Sequence, residues 1–142
     1  MINQISVFLE NRAGQLADIT GTLASHGIDI RALNIAETSD YGVMRIITDD
    51  SEKTMKILND AGFIASETRA AAVAVSDRPG ALSEVLGVLS EADMDVEYMY
   101  SIFSQLEGRA FMVIKVKDPE KAEVLLAGKG IYIARQEDLD VR

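Results

Sequence analysis

The chain of 142 residues contains no cysteine. That absence removes disulfides, thiolate metal sites and cysteine nucleophiles together. Histidine occurs once, at His26, which excludes a histidine-rich metal site. Positive charge is scarce: 14 Lys and Arg stand against 23 Asp and Glu, a formal net charge of −9. The deficit is shared, with 6 basic and 10 acidic residues in 1–70 (net −4) and 8 and 13 in 71–142 (net −5). A nucleic-acid surface needs a positive stripe to displace counterions, and neither half offers one. No apolar run approaches the ~18 residues of a membrane span. The first residues, with Asn3, Gln4 and Glu10 and no basic flank, lack the pattern of a signal peptide, so a cytoplasmic location is the default expectation.

Catalytic signatures are missing as well. There is no Gly-Lys-Ser/Thr phosphate loop, no Gly-x-Gly-x-x-Gly fingerprint and no Gly-x-Ser-x-Gly elbow. His26 precedes Gly27, where it suits the negative end of a helix dipole better than a reaction. Asp49-Asp50 has the look of a metal pair, yet Asp50 serves better as a helix cap and its neighbour's counterpart in the second half is Lys117. The expectation is a chain without catalytic residues, cofactor or metal.

What is present is a repeat. Asn11-Arg12-Ala13-Gly14-Gln15-Leu16 returns sixty-six positions later, residue 11 matching residue 77, as Asp77-Arg78-Pro79-Gly80-Ala81-Leu82. Ile19 and Leu23 match Val85 and Leu89 at that offset, and Ile28-Asp29-Ile30 falls on Met94-Asp95-Val96. Two inserted residues then raise the offset to sixty-eight, residue 50 matching residue 118. Asp50-Ser51-Glu52-Lys53 meets Asp118-Pro119-Glu120-Lys121, and Ala61-Gly62-Phe63-Ile64 meets Lys129-Gly130-Ile131-Tyr132. Apolar, acidic and glycine positions all keep register, which marks a tandem duplication with units at 1–69 and 70–142. Units of about 70 residues bury modest cores, so the halves are expected to support each other.

The elements follow the same order twice. Residues 2–9 alternate as a half-buried strand. A helix follows, with Asn11 as cap, Gly14 in its first turn, Leu16, Ile19 and Leu23 on one face, and Gly27 ending it. Residues 28–37 and 43–48 read as a hairpin about Thr38 to Gly42. Asp50 caps a second helix with Ile57 and Leu58 inward, Gly62 ends it, and 63–69 is the fourth strand. In the second half, 71–76 is a strand and Leu82, Val85, Leu86 and Leu89 form a helical stripe. Residues 96–104 and 110–117 form the hairpin about Gln105 to Gly108. Asp118-Pro119-Glu120 opens the last helix, with Ala122, Leu125 and Leu126 inward. Residues 131–134 close the unit and 136–142 are expected to be a loose acidic tail. Each half is therefore βαββαβ: an α+β, ferredoxin-like split βαβ with an antiparallel sheet and both helices on one face. With almost nothing between the halves, side-by-side packing is expected.

The repeated loop is the candidate site. A glycine turn that delivers the chain into a helix presents free N–H groups to a carboxylate. Asp29 and Asp95, at the start of each second strand, can accept hydrogen bonds from an ammonium group. The pair suits a free amino acid. The plainer reading is that Asn11 and Asp77 cap helices and the glycines only make the turn. Tyr98, Met99 and Tyr100 offer an apolar wall, or simply strand packing.

Glu10-Asn11-Arg12-Ala13-Gly14-Gln15-Leu16 with Gly27-Ile28-Asp29-Ile30 resembles the signature of the ACT domain, a small-molecule sensor of amino-acid metabolism. Asp77-Arg78-Pro79-Gly80-Ala81-Leu82 with Met94-Asp95-Val96 is a closer match. The resemblance spans nearly the whole chain and points to stand-alone tandem ACT proteins. It implies an amino-acid effector between paired units, held by the loop of one and the second strand of the other. That places Asn11 to Leu16 with Met94 to Val96, and Asp77 to Leu82 with Ile28 to Ile30. Backbone groups around Gly14 and Gly80 would take the carboxylate; Asn11, Asp77, Asp29 and Asp95 would hold the amine or a polar side chain. Ala13 departs from the family's usual proline, which leaves the first loop freer. Asn11 against Asp77 makes the two sites inequivalent. The function implied is a non-enzymatic sensor that binds a free amino acid, forms a homo-oligomer (a dimer), controls a partner enzyme or regulator, and uses no nucleic acid, membrane or cofactor. The alternative is an interaction module whose helix-free sheet faces, at Ser6, Ala72 and Ala74, recruit a partner without any ligand.

Overall fold

A computed structural model describes residues 1–10, 12–37, 40–103 and 108–139. The chain divides into two compact units: Asn3–Thr68, and Arg69–Arg142 together with Met1–Ile2.

In the first unit, β1 (Ile2–Leu9), α1 (Gln15–Ser25), β2 (Ile30–Glu37), β3 (Gly42–Thr48), α2 (Ser51–Asp60) and the beginning of β4 (Ala65–Ser76) follow in order. The strands lie β2-β3-β1-β4, with β3 antiparallel to both of its neighbours. Alternate residues of β1, Ile5, Val7 and Leu9, enter one core with Met44 and Ile46. Ile19 and Leu23 from α1 and Ile57 and Leu58 from α2 join the same cluster, so both helices cover one sheet face. Burial of each such side chain contributes about 1.5–3 kcal/mol.

In the second unit the remainder of β4 acts as first strand, followed by α3 (Ala81–Glu91), β5 (Tyr98–Ile102), β6 (Arg109–Lys115), α4 (Pro119–Gly128) and β7 (Tyr132–Ile133). The order β7-β4-β6-β5 reproduces that of the first unit. Val73, Val75, Val85, Leu89, Ile114 and Leu126 lead its core. The tandem ferredoxin-like α+β fold is the one expected.

Several local expectations change. The inward row of α1 is Gln15, Ile19 and Leu23, and that of α3 is Ala81, Val85 and Leu89. Leu16 and Leu82, one residue further round, are 39% and 38% exposed. The cap position of α1 is Gly14, and Asn11, the expected cap, lies outside the described residues. Asp50 and Asp118 do cap, accepting from the N–H of Lys53 and Lys121 at 3.0 and 3.1 Å. Within the expected tail, Gln136–Leu139 forms a 3₁₀ turn with Leu139 buried, and 140–142 lie outside the described residues. Its Asp138 accepts from the Tyr132 hydroxyl at 2.9 Å and from the Arg135 N–H at 2.8 Å. Ala72, proposed as open sheet surface, is fully buried, as are Phe111 and Val113. Tyr100 is buried and Met99 packs on the core, so that strand segment serves packing. The turns at 38–39 and 104–107 lie outside the described residues.

Candidate functional site

Both copies of the repeated loop end in the same backbone device. Gly14 (φ 83°) and Gly80 (φ 87°) take the left-handed conformation at the helix cap position, and as glycines they supply no capping side chain. Glycine adopts that region without the penalty a Cβ brings. The Gln15 and Ala81 N–H groups turn back to the carbonyls of Arg12 and Arg78, at 3.4 and 3.3 Å. The opening amides of α1 and α3 therefore form a positive end that the cap residue itself, a glycine, does not neutralise.

The arginine of each motif folds over that helix start. Arg12 lies 3.7 Å from both Glu10 and Asp18, and Arg78 lies 2.7 Å from Glu84. Hydrogen bonding and charge attraction from Glu84 raise the Arg78 pKa above its ordinary value. The sequence carries this pairing as arginine and acid six residues apart in both copies, a regularity the motif reading passed over. The loops also differ. Gln15 is buried and its side-chain oxygen accepts from the Glu10 N–H at 2.7 Å, closing the first loop. Ala81 has no such group, and there the ring of Pro79 restricts the chain instead.

The strand aspartates are elsewhere within their own units. Leu9 pairs with Gly42, and Gly42 with Glu37, so the loop after β1 adjoins the end of β2. Asp29 precedes Ile30, which pairs with Thr48 at the opposite end of the sheet. Its carboxylate binds Arg31 at 3.2 Å, and its N–H donates to Asp49 at 3.0 Å. Asp95 likewise precedes β5 and is exposed. Ile28 is buried, and Ile30, Met94 and Val96 pack against the cores. Glu37 and Ile35, which no sequence signal singled out, are what the first unit brings to its own loop.

A cavity of about 240 Å³ opens there, lined by Leu9, Arg12, Gln15, Leu16, Ile35 and Glu37. It combines an apolar floor with a cation and a carboxylate, and its size suits a molecule smaller than drug-like ligands. A second cleft of about 270 Å³ lies on the other side of Arg12, toward Gly62 to Ile64. In the second unit a cleft of about 300 Å³ lies beside Arg78. Among the described residues no group of three or more His, Cys, Asp or Glu is placed to hold a metal, and no helix is long and apolar enough to cross a membrane. His26 is an exposed helix-end residue whose ring nitrogen Nδ1 sits 2.8 Å from the Thr22 carbonyl.

Two βαββαβ units, each with a glycine-capped loop after its first strand, define a tandem regulatory fold. Residues 1–141 match the family described as "ACT domain pair", and the chain belongs to it. Among solved structures, protein BT0572 from Bacteroides thetaiotaomicron is 36% identical over 97% of this chain and 94% of that one, with a TM-score of 0.89. The ligand-free regulatory subunit of aspartate kinase from Thermus thermophilus shares the fold at 16% identity, over 89% of this chain and 91% of that one, with a TM-score of 0.66. The regulatory subunit from Thermus flavus does so at 14% identity, 89% and 90% coverage and a TM-score of 0.60. A comparison with curated proteins finds no match.

Proposed function

We propose that this ACT pair is a non-catalytic sensor that binds a free amino acid at its glycine-capped loops and passes the event to an assembly or partner of amino-acid metabolism. The observation that carries the reading is the cavity at the first loop. Arg12 and the uncapped start of α1 suit a carboxylate, Glu37 suits an ammonium group, and Leu9, Leu16 and Ile35 suit a side chain. Asn11 to Leu16 and Asp77 to Leu82 are the proposed ligand-contacting segments. Ile28 to Ile30 and Met94 to Val96 stay proposed as contributions from a facing unit, with Asp29 already engaged by Arg31. The kinship with aspartate kinase regulatory subunits supports a partner enzyme. Assembly is supported by β2, an edge strand of eight residues on which Leu33 and Ile35 are 36% and 40% exposed. Such an edge is suited to pairing with a second copy.

A thermal-shift screen of the twenty amino acids tests the reading. At a hundred times its dissociation constant, a ligand adds about 2.7 kcal/mol of stability. Arg12→Ala removes that response while the apo protein stays folded. A melting temperature unmoved by all twenty refutes the sensor.

A further inference from the structure

The duplication supplies an internal comparison. The cleft beside Arg12 and the cleft beside Arg78 are the same place in the two copies. Phe8, Glu10 and Arg12 correspond to Ala74, Ser76 and Arg78 at the first offset, and Ala61 to Ile64 correspond to Lys129 to Tyr132 at the second. Geometry was retained and charge was not. In the first copy Arg12 is held between Glu10 and Asp18, and Ala61 contributes no charge. In the second, Ser76 replaces the acid Glu10 and Lys129 replaces Ala61. Arg109 replaces Tyr41, which in the first copy stacks on Phe8 at 5.6 Å. The guanidinium of Arg109 lies 5.9 Å over the ring of Tyr132. Among the described residues the one acid lining the second cleft, Glu84, is engaged by Arg78, and Asp138, which accepts from the lining residue Tyr132, is also engaged by the Arg135 N–H. Among the described residues, Arg109 and Lys129 have no acidic partner. Beneath them Val85, Val88 and Ile131 give an apolar floor. Three substitutions shift one duplicated cavity toward positive charge in a chain whose net charge is −9.

We propose that the cleft of about 300 Å³ between α3 and β7 binds a small organic anion at Arg109 and Lys129, and that its duplicate in the first unit does not. The matching chemistry is a phosphomonoester with an apolar body: guanidinium and ammonium groups take the phosphate, and the valines and Ile131 take the body. The cleft shares Arg78 and Ala81 with the second loop segment, but its anion-holding groups, Arg109 and Lys129, lie outside that segment and outside the cavity at the first loop, and the proposal does not rest on the amino-acid reading.

The test is an amide NMR titration of the intact chain with phenyl phosphate, inorganic phosphate and benzyl alcohol at constant ionic strength. Phenyl phosphate gives saturable shifts at Lys129 to Tyr132 and not at Ala61 to Ile64, and binds more tightly than either fragment. Arg109→Gln with Lys129→Gln weakens it about 5-fold or more, and added salt weakens it in the wild type. In that double variant the amino-acid thermal response is retained, which separates failure of one site from failure of the other. Equal shifts in both clefts, no saturable shift, benzyl alcohol binding as well as phenyl phosphate, or unchanged affinity in a folded double variant each overturn the proposal.

Discussion

Replacing Gly14 and Gly80 by alanine, one at a time, isolates the backbone device on which the loops depend. The two residues have nearly the same dihedrals, φ 83° and ψ −6° against φ 87° and ψ −13°. A Cβ built at either meets no atom within 4 Å, so neither substitution brings a clash. What remains is the left-handed conformation, which costs an L-residue about 1–2 kcal/mol. Alanine also restricts the unfolded chain, which offsets about 0.4–1 kcal/mol of that cost. The net loss expected is about 1 kcal/mol for each variant, or roughly 4–8 °C in melting temperature for a unit of this size. Urea midpoints at unchanged slope, read by circular dichroism, give the comparison. Because φ and surroundings agree, the two losses should agree within about 0.5 kcal/mol. A neutral Gly80→Ala beside a costly Gly14→Ala would refute the conformational argument. So would a loss of 3 kcal/mol or more, which strain alone does not supply.

Ile19→Ala, in the buried row of α1, should cost about 2–5 kcal/mol, while Leu16→Ala, 39% exposed, should cost less than about 1 and instead blunt the amino-acid response; chemical denaturation and thermal shift check the two readouts. Asp50→Ala and Asp118→Ala each remove a helix cap and should lower stability by about 0.5–2 kcal/mol in urea unfolding. Tyr132 donates to Asp138, and that hydrogen bond raises its pKa above the ordinary value of about 10. A raised folded pKa means the contact stabilises fully below the unfolded pKa and is lost as pH rises through the folded one. Asp138→Asn should therefore move the tyrosinate absorbance transition to lower pH, and an unmoved transition would remove that contact from the account.

How much of this was legible in the chain depends on what kind of signal each feature leaves. Apolar periodicity reports burial, so Ile19, Leu23, Val85 and Leu89 announce the cores and the duplication announces the fold twice over. The same logic misplaced Leu16 and Leu82, because hydrophobicity outranked geometry: the inward row advances by four residues through Gln15 and Ala81. Gln15 can be buried there because its amide oxygen finds the Glu10 N–H, a partner created only when the loop closes. The break expected between strands 63–69 and 71–76 came from the repeat frame, whereas Ala65–Ser76 is one strand with no glycine or proline, and the backbone has no cause to break. The 3₁₀ turn after β7 looked like tail because its anchors, Leu139 and the Asp138–Tyr132 contact, are single residues without a period. The clefts were beyond reach for a further reason. Their walls come from segments related by two different offsets, sixty-six for the loop and sixty-eight for the strand that faces it, with residues 12 and 78 on one wall and 62 and 130 on the other. Each wall aligns with its copy in the sequence, but the exchange of Glu10, Tyr41 and Ala61 for Ser76, Arg109 and Lys129 becomes one event only when the fold sets the walls against each other. Divergence between duplicated cavities is thus a tertiary property, and it is where this chain's two halves have separated in chemistry while keeping one architecture.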